Sequence, residues 1–287
     1  MSAVHIITDS TADLGDEARE LQVSVIPMIV SFGTDSYQDG VSIAPQTFYQ
    51  RLAARRELPV TSQPSPQVIE NAIRTALERN PSGIVMITLS SRLSGTYSTA
   101  CQVVKQLQTD GLTTPIEVID SKQGSIGMQY GILAAAQAAR QQADIAAVAE
   151  AARDALARTT IFLIADDLGY LQRGGRIGQA QRLVGSLLQV KPLITLRDGV
   201  VVALESPRTR RRAYERAAEC MQELAPLEAV TIGQTGPELG DQLEAEVRRF
   251  FPGPFRRMWA GPTIGTHVGP GAAGLAVLRA TKPGSES

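Results

Sequence analysis

A buried-strand pattern between two amphipathic stretches constrains the fold of this chain more than any other feature. Residues 83–89 contain no charged side chain, which is typical of a strand covered on both faces. In the stretch before it, apolar residues recur at the spacing of one helix face, with Ser65 as N-cap and Pro66 in the first turn. This helix is expected to end by Pro81, because a residue before proline resists helical angles.

The same alternation runs through the first half of the chain. Further strands are predicted at 4–8, 23–30 and 116–119. Helices are predicted at 14–21 with Asp13 as cap, from Pro45 onward, and at 96–108, 131–141 and 144–158. Short links between alternating strands and helices predict a parallel sheet enclosed by helices.

The second half has a different pattern. Apolar runs at 192–196 and 200–204 flank Asp198-Gly199, which predicts a hairpin with a type I′ turn. Strands are expected at 160–165, 229–233, 258–260 and 275–278, with helices at 207–224 and 237–250. The sequence therefore predicts two domains, an N-terminal α/β domain at 1–158 and a C-terminal α+β domain at 159–287.

Charge and composition exclude several classes of function. The 28 Lys and Arg residues nearly balance 29 Asp and Glu, giving a net charge of −1 that provides no field to hold nucleic acid or an anionic membrane. Two cysteines are too few for a disulfide framework, and the scattered cysteines and histidines offer no metal-ligand spacing. Without a signal peptide or a membrane-length apolar run, the expected location is the cytoplasm.

Hydroxyl-rich turns are the most unusual polar feature. Three of them, 8–11, 90–96 and 120–125, follow predicted strands, and the loop 61–66 opens a predicted helix. Ligands bind at the carboxyl edge of an open parallel sheet, and the free N–H groups of helix starts suit a carboxylate or phosphate. For any one turn, ordinary helix capping is the better explanation, but together the turns favour an anion site.

The two histidines receive different interpretations. His5 falls inside the first predicted strand, which indicates a structural role. His267 lies in the segment 261–271, whose glycines and prolines predict a loop rather than a helix or long strand. Binding groups concentrate on loops held by a rigid scaffold, so His267 is expected to contact a ligand.

Two basic segments have alternative interpretations. Arg208, Arg210, Arg211 and Arg212 lie at the start of a predicted helix, and 173–177 forms a second, glycine-containing basic loop. The cluster is either a solvated helix face or a docking patch for a phosphate-bearing partner. Two literal motifs are weak: the glycine pattern at 269–274 has no later strand with an acidic residue, and Arg92 replaces the first glycine of a nucleophile elbow.

These motifs, in this order, resemble the DegV family, bacterial fatty-acid-binding proteins that include the FakB subunits of fatty acid kinase. The resemblance covers nearly the whole chain. The matching segments are 8–14, 39–40, 61–65, 90–97, 120–121, 171–177, 191–194 and 265–271.

The resemblance implies a two-domain fold, an α/β domain followed by an α+β domain, with one acyl chain buried between or within them. It implies that Thr61, Ser94 and Gly95 hold the carboxylate of a long-chain fatty acid of the palmitate or oleate class, with His267 beside it. Arg173 and either Arg208 or Arg210 are implied as contacts for the kinase, which would supply ATP and metal for acyl-phosphate formation. The chain itself is then a cytoplasmic, non-catalytic lipid carrier in phospholipid metabolism, with no cofactor, nucleic-acid partner or stable membrane insertion.

Two other functions compete with the carrier. An acyl hydrolase would use Ser94 as nucleophile and His267 as base, oriented by Asp9 or Asp120. A regulatory protein would sense a small anion at the same turns without a kinase partner. Chain-length preference, oligomeric state and the identity of the kinase do not follow from the residues.

Overall fold

The computed structural model describes residues 3–54, 58–166, 168–183 and 190–281, which form three sheets and the helices that cover them. The strands are β1 (His5–Asp9), β2 (Ser24–Ile26), β3 (Ile29–Phe32), β4 (Asp35–Gln38), β5 (Val60–Ser62), β6 (Ile84–Thr88), β7 (Ile116–Asp120), β8 (Thr159–Ile164), β9 (Leu193–Arg197), β10 (Val200–Glu205), β11 (Leu227–Gln234), β12 (Phe255–Trp259) and β13 (Ala273–Arg279). The helices are α1 (Glu17–Glu20), α2 (Pro45–Ala54), α3 (Pro66–Leu77), α4 (Thr96–Thr109), α5 (Gln129–Arg140), α6 (Ile145–Arg158), α7 (Gly169–Arg173), α8 (Arg210–Gln222), α9 (Pro237–Val247) and α10 (Pro262–Val268).

The first sheet is parallel, with strand order β2-β1-β6-β7. All five residues of β6 are buried, as the absence of charge in this segment predicts. One face packs on α5 and α6 and the other on α3 and α4, so helices enclose the sheet. Ser65 caps α3 by accepting a hydrogen bond from the N–H of Val68, which confirms the predicted helix start.

The second sheet is mixed and has six strands in the order β10-β9-β8-β13-β11-β12. Only its β11–β12 pair is parallel, and the other pairs are antiparallel. Asp198 and Gly199 have φ angles of 49° and 77°, so the predicted hairpin turn is confirmed. Side chains of α8 and α9 cover one face of this sheet. Its other face turns towards the N-terminal half.

A third, antiparallel sheet with order β4-β3-β5 was not expected. The apolar run at 23–30 is not one strand, because Pro27 separates β2 in the parallel sheet from β3 in the antiparallel one. Pairing of Val30 with Thr61 holds β5 at the edge of this sheet. The third sheet thereby fixes one of the predicted site residues.

Two helix starts differ from the prediction. Asp13 does not cap a helix over 14–21: it has a left-handed φ of 51°, its carboxylate accepts a hydrogen bond from the N–H of Gly261, and α1 is a single turn. The helix expected at 207–224 begins at Arg210, because the Thr209 side chain accepts a hydrogen bond from the N–H of Arg212 and caps it. No helix within the described ranges is long and apolar enough to cross a membrane.

Candidate functional site

A cavity lies between the parallel sheet and the open face of the mixed sheet. It contains about 1180 Å³ of space free of protein atoms, counting its mouth. Most of its wall is apolar, and the side chains that form this wall include Leu93, Ile126, Ile161, Leu163, Ile194, Leu196 and Val268. In β8, Ile161 and Leu163 line the cavity while Phe162 and Ile164 belong to the core beneath α8, as the two-residue period of a strand requires.

A small polar cluster lines the same cavity, and two predicted site residues meet there. The Oγ1 of Thr61 lies 2.8 Å from Nε2 of His267. Thr61 comes from the edge strand β5, whereas His267 comes from α10 near the other end of the chain. The loop predicted around His267 is wrong, because residues 262–268 form a helix that begins with Pro262.

His267 is held as a neutral imidazole. Burial, with the nearby Arg176 guanidinium as a smaller cause, lowers the pKa of His267 to about 4. Its Nδ1 has no hydrogen-bond partner in the described part of the chain and packs against the Cα of Gly174, where any larger residue would overlap the ring. A bare Nδ1 is less costly than a buried N–H without an acceptor, so the proton belongs on Nε2. The Thr61 hydroxyl then accepts from Nε2–H and keeps its own proton for a ligand.

Ser94 lines the cavity from the turn after β6. Its Oγ lies 2.9 Å from Oγ1 of Thr96 at the start of α4. The turn is fixed from both sides, because the Ser90 hydroxyl donates to the carbonyl of Gly199 in the hairpin and the Leu93 carbonyl accepts from Arg176. Gly95 is exposed, packs against the Gln63 side chain and does not itself line the cavity.

Arg176 is a cavity residue that the sequence did not single out as a head-group contact. Its Nε donates to the carbonyl of Leu93 over 3.0 Å, and its Nη1 donates to the carbonyl of Gly174 over 2.6 Å. These bonds fix a cation in the same wall as Ser94 and His267. The basic, glycine-containing segment 173–177 was the available signal, but its composition did not show that the second arginine faces inward.

The predicted hydroxyl turns divide into two groups. Thr11, Ser94 and Ser125 line the cavity. By contrast, Asp120 accepts hydrogen bonds from the backbone and hydroxyl of Ser91 and from the N–H of Lys122, so this part of its turn only caps the local chain. His5, with Nε2 at 2.8 Å from Oγ of Ser24, lies in the core as expected.

The arginine cluster is mostly neutralised. Arg210 pairs with Asp166, Arg211 with Glu215, and Arg212 with Glu215 and Glu219. Of the arginines predicted to contact a kinase, Arg208 and Arg173 have no ion pair with any residue that the structure describes. Arg208 is exposed, and exposed Arg173 lies with its guanidinium 4.8 Å from the centre of the Tyr170 ring.

The arrangement does not assemble a hydrolase relay. Ser94 bonds Thr96 rather than His267, and Nδ1 of His267 faces Gly174 rather than a carboxylate. Asp9 instead accepts from Thr11 and from the N–H of Leu89. No group of three or more potential metal ligands occurs among the described His, Cys, Asp and Glu residues.

Fold and cavity together define an α/β protein whose two main sheets enclose an apolar cavity with hydroxyls, a neutral imidazole and a guanidinium in its wall. The family model described as an uncharacterised protein of the DegV family matches residues 3–280. The chain belongs to the DegV family. A DegV domain-containing protein of Halalkalibacterium halodurans is 35% identical over 96% of this chain and 98% of its own length.

Solved structures share the architecture. The crystal structure of DegV, a fatty acid binding protein from Bacillus subtilis, superposes with a TM-score of 0.85 at 28% identity, covering 97% of this chain and 99% of that one. A stearic acid-binding protein from Eubacterium ventriosum gives a TM-score of 0.88 at 27% identity, covering 96% of this chain and 98% of that one. These matches confirm the predicted fold, a parallel-sheet α/β part followed by a mixed-sheet part.

Proposed function

We propose that this protein binds one long-chain fatty acid, with the acyl chain in the apolar part of the cavity and the carboxylate beside Thr61, Ser94 and His267. The observation that carries the proposal is the neutral, buried imidazole bonded to a hydroxyl in the wall of an otherwise apolar cavity. Such a wall offers donors to a carboxylate and a mostly apolar surface to the rest of the ligand. The fatty acids bound by the Bacillus and Eubacterium relatives support the same assignment.

The chemistry of the cavity divides affinity from orientation. Burying about a dozen methylenes at ~0.8 kcal/mol each contributes roughly 10 kcal/mol before the costs of association. The hydroxyls of Thr61 and Ser94 and the guanidinium of Arg176 line the cavity and are the donors available to the carboxylate. We assign the affinity mainly to the chain and the position of the carboxylate to these donors.

The bound acid is presented to a kinase for acyl-phosphate formation, and this chain contributes no catalytic residue. Arg208 and Arg173 support that step, because both are exposed and neither is engaged in an ion pair with another described residue. Arg210 is instead a structural residue bonded to Asp166. The kinase brings ATP and metal, and the product enters phospholipid synthesis in the bacterial cytoplasm.

Native mass spectrometry and organic extraction of the purified protein test the binding proposal. We expect an added mass of one C16 or C18 acid, which is lost after delipidation and regained on adding palmitate or oleate. Extraction that yields no fatty acid, together with no binding of palmitate or oleate, would contradict it. Release of p-nitrophenol from an acyl ester, abolished by Ser94→Ala, would favour the hydrolase instead.

A further inference from the structure

Three buried carboxylates lie close to the site, and the proposed function uses none of them. Asp9, Asp13 and Asp39 are 1%, 7% and 3% exposed. Among the described residues, neither Asp13 nor Asp39 has a cationic hydrogen-bond partner, and the groups that donate to them are hydroxyls and backbone N–H groups. Burying unpaired carboxyl groups is costly, so their hydrogen-bond partners indicate what they are for.

Two of the three carboxylates bind the first turn of α10. Oδ1 of Asp13 accepts a hydrogen bond from the N–H of Gly261 at 2.9 Å. Oδ2 of Asp39 accepts one from the N–H of Thr263 at 3.2 Å. Backbone N–H groups at a helix start have no partner within the helix, so these two carboxylates satisfy donors that would otherwise be buried and unbonded.

The carboxylates are themselves held in place from several elements. The hydroxyl of Ser125 donates to Oδ2 of Asp13, and the hydroxyl of Ser10 donates to Oδ2 of Asp39. Gly261 packs so closely that a Cβ there would lie 2.7 Å from Oδ1 of Asp13. The first turn of α10 is therefore fixed to the N-terminal half by bonds and by shape.

The same helix presents the ligand-site histidine. Thr263 and His267 are four residues apart and both line the cavity, so they share one face of α10. A shift of the first turn of α10 would move the buried imidazole ring of His267 relative to Thr61, because Thr61 belongs to β5 in the antiparallel sheet and does not move with the helix. Asp9 has no hydrogen bond to α10: its carboxylate accepts from Thr11 and from the N–H of Leu89.

We propose that Asp13 and Asp39 are positioning residues of the ligand site, which fix α10 and thereby hold the imidazole of His267 against the hydroxyl of Thr61. Their effect on ligand affinity rests on the proposed function. Their effect on His267 does not, because the Thr61–His267 contact belongs to the protein without ligand.

Nuclear magnetic resonance of the imidazole groups in delipidated protein tests the proposal. The chain has two histidines, so His267→Gln identifies the His267 signals by their loss. We expect Asp39→Ala and Asp13→Ala to shift the ring ¹⁵N and ¹H resonances of His267 and to weaken binding of a fluorescent fatty acid by about tenfold, the equivalent of one lost hydrogen bond. Asp39→Asn keeps an acceptor for the N–H of Thr263 and should restore most of both.

Asp9→Ala is the matched control, since it removes a similarly buried carboxyl that accepts no hydrogen bond from α10. It should lower the melting temperature while leaving the His267 resonances at their wild-type positions. If the aspartate variants fail to fold, Gly261→Ala provides the same test, because its added methyl displaces the first turn and removes no carboxylate.

Unchanged His267 resonances in folded Asp39→Ala and Gly261→Ala proteins would overturn the proposal, as would an equal shift in Asp9→Ala. If the His267 resonances are displaced in the aspartate variants but the wild-type protein binds no fatty acid, the positioning role is supported and the proposed function is rejected. The two failures are thus distinguishable.

Discussion

At the scale of single residues, the cavity wall separates groups that hold a carboxylate from groups that hold a chain. Ser94→Ala removes one hydroxyl without changing the apolar wall. We expect it to reduce binding of a fluorescent fatty acid by no more than about tenfold, since one lost hydrogen bond costs roughly 0.5–1.5 kcal/mol. Kinase-dependent phosphorylation should fall far more, because that step depends on the position of the carboxylate.

Thr61→Val should act in the same way, since it keeps the shape of the side chain and deletes its donor. Ser91→Ala is the matched control: this exposed serine of the same turn bonds Asp120 and does not line the cavity. A binding loss well beyond ~3 kcal/mol for Ser94→Ala would contradict the division between chain and carboxylate.

The raised pKa of Asp9 predicts the direction in which protein stability changes with pH. Burial raises its pKa from 3.8 to about 6. Between these values the folded protein retains a proton that the unfolded chain has released, so the Asp9 contribution to the free energy of unfolding falls as pH rises through this window. Over a shift of about two units the fall is roughly 3 kcal/mol, and Asp9→Asn should remove it.

Urea denaturation at pH 4 and pH 7 measures this difference. The stability of Asp9→Asn, relative to wild type, should be higher at pH 7 than at pH 4. The same pH-dependence in Asp9→Asn and wild type would show that Asp9 does not hold a proton in the folded state.

At the scale of elements, the start of α8 carries one arginine that is available to a partner. Arg208 precedes the helix and has no ion pair with any residue that the structure describes, whereas Arg211 pairs with Glu215 one turn along. Charge reversal by Arg208→Glu should slow phosphoryl transfer from the cognate kinase several-fold at low salt, because exposed charges act over about one Debye length. Fatty-acid binding should stay at the wild-type level.

Arg211→Glu changes the charge by the same amount on the same surface, so it measures the general electrostatic part of the effect, and a larger loss in Arg208→Glu reports a direct contact of Arg208 with the kinase. The side chain of Arg211 is 84% exposed, so the substitution disturbs little packing. A coupled assay at low and high salt compares the two variants. Equal turnover in Arg208→Glu and wild type would rule out this docking role, and tight binding of duplex DNA by the wild type would favour a regulatory function.

At the scale of the whole molecule, both halves of the chain contribute walls to one cavity. Thr61 and Ser94 come from the N-terminal half, and Ile161, Ile194 and His267 come from the C-terminal half. A ligand that binds only the folded protein adds about 2.7 kcal/mol to the free energy of unfolding when its concentration is one hundred times its Kd. For a chain of this size, that corresponds to a rise in Tm of roughly 4–5 °C.

Differential scanning fluorimetry with delipidated protein measures the shift. Palmitate and oleate should raise Tm, and palmitic acid methyl ester, which has the same chain but no carboxylate, should raise it less. A short anion such as acetate should have no effect at the same concentration. No change of Tm with either fatty acid would contradict the proposed cavity occupant.

The elements that were predicted correctly depend on short stretches of chain. The α3 cap at Ser65, the buried strand β6 and the turn at Asp198-Gly199 each follow from residues within one helix turn or one strand. The third sheet was missed because β4 and β5 are short and mostly exposed, so they carry no apolar run. Pro27 is a local signal for the split of residues 23–30 between two sheets, but the strands with which each piece pairs are determined only by the tertiary structure.

The sequence by itself determined the type of most elements, the hairpin, the family and the residues Thr61, Ser94 and His267 as candidates, because local periodicity and ordered motifs are properties of the chain alone. Only the tertiary structure decided how they meet. The first turn of the helix that carries His267 is held by Asp13 and Asp39, more than 200 positions earlier, which accept hydrogen bonds from the N–H groups of Gly261 and Thr263. The Thr61–His267 contact joins residues 206 positions apart. Arg176 faces the cavity because its guanidinium donates hydrogen bonds to carbonyl groups of the folded loops. Burial and contact across such separations arise only when the sheets pack, and they set the protonation and geometry of the site.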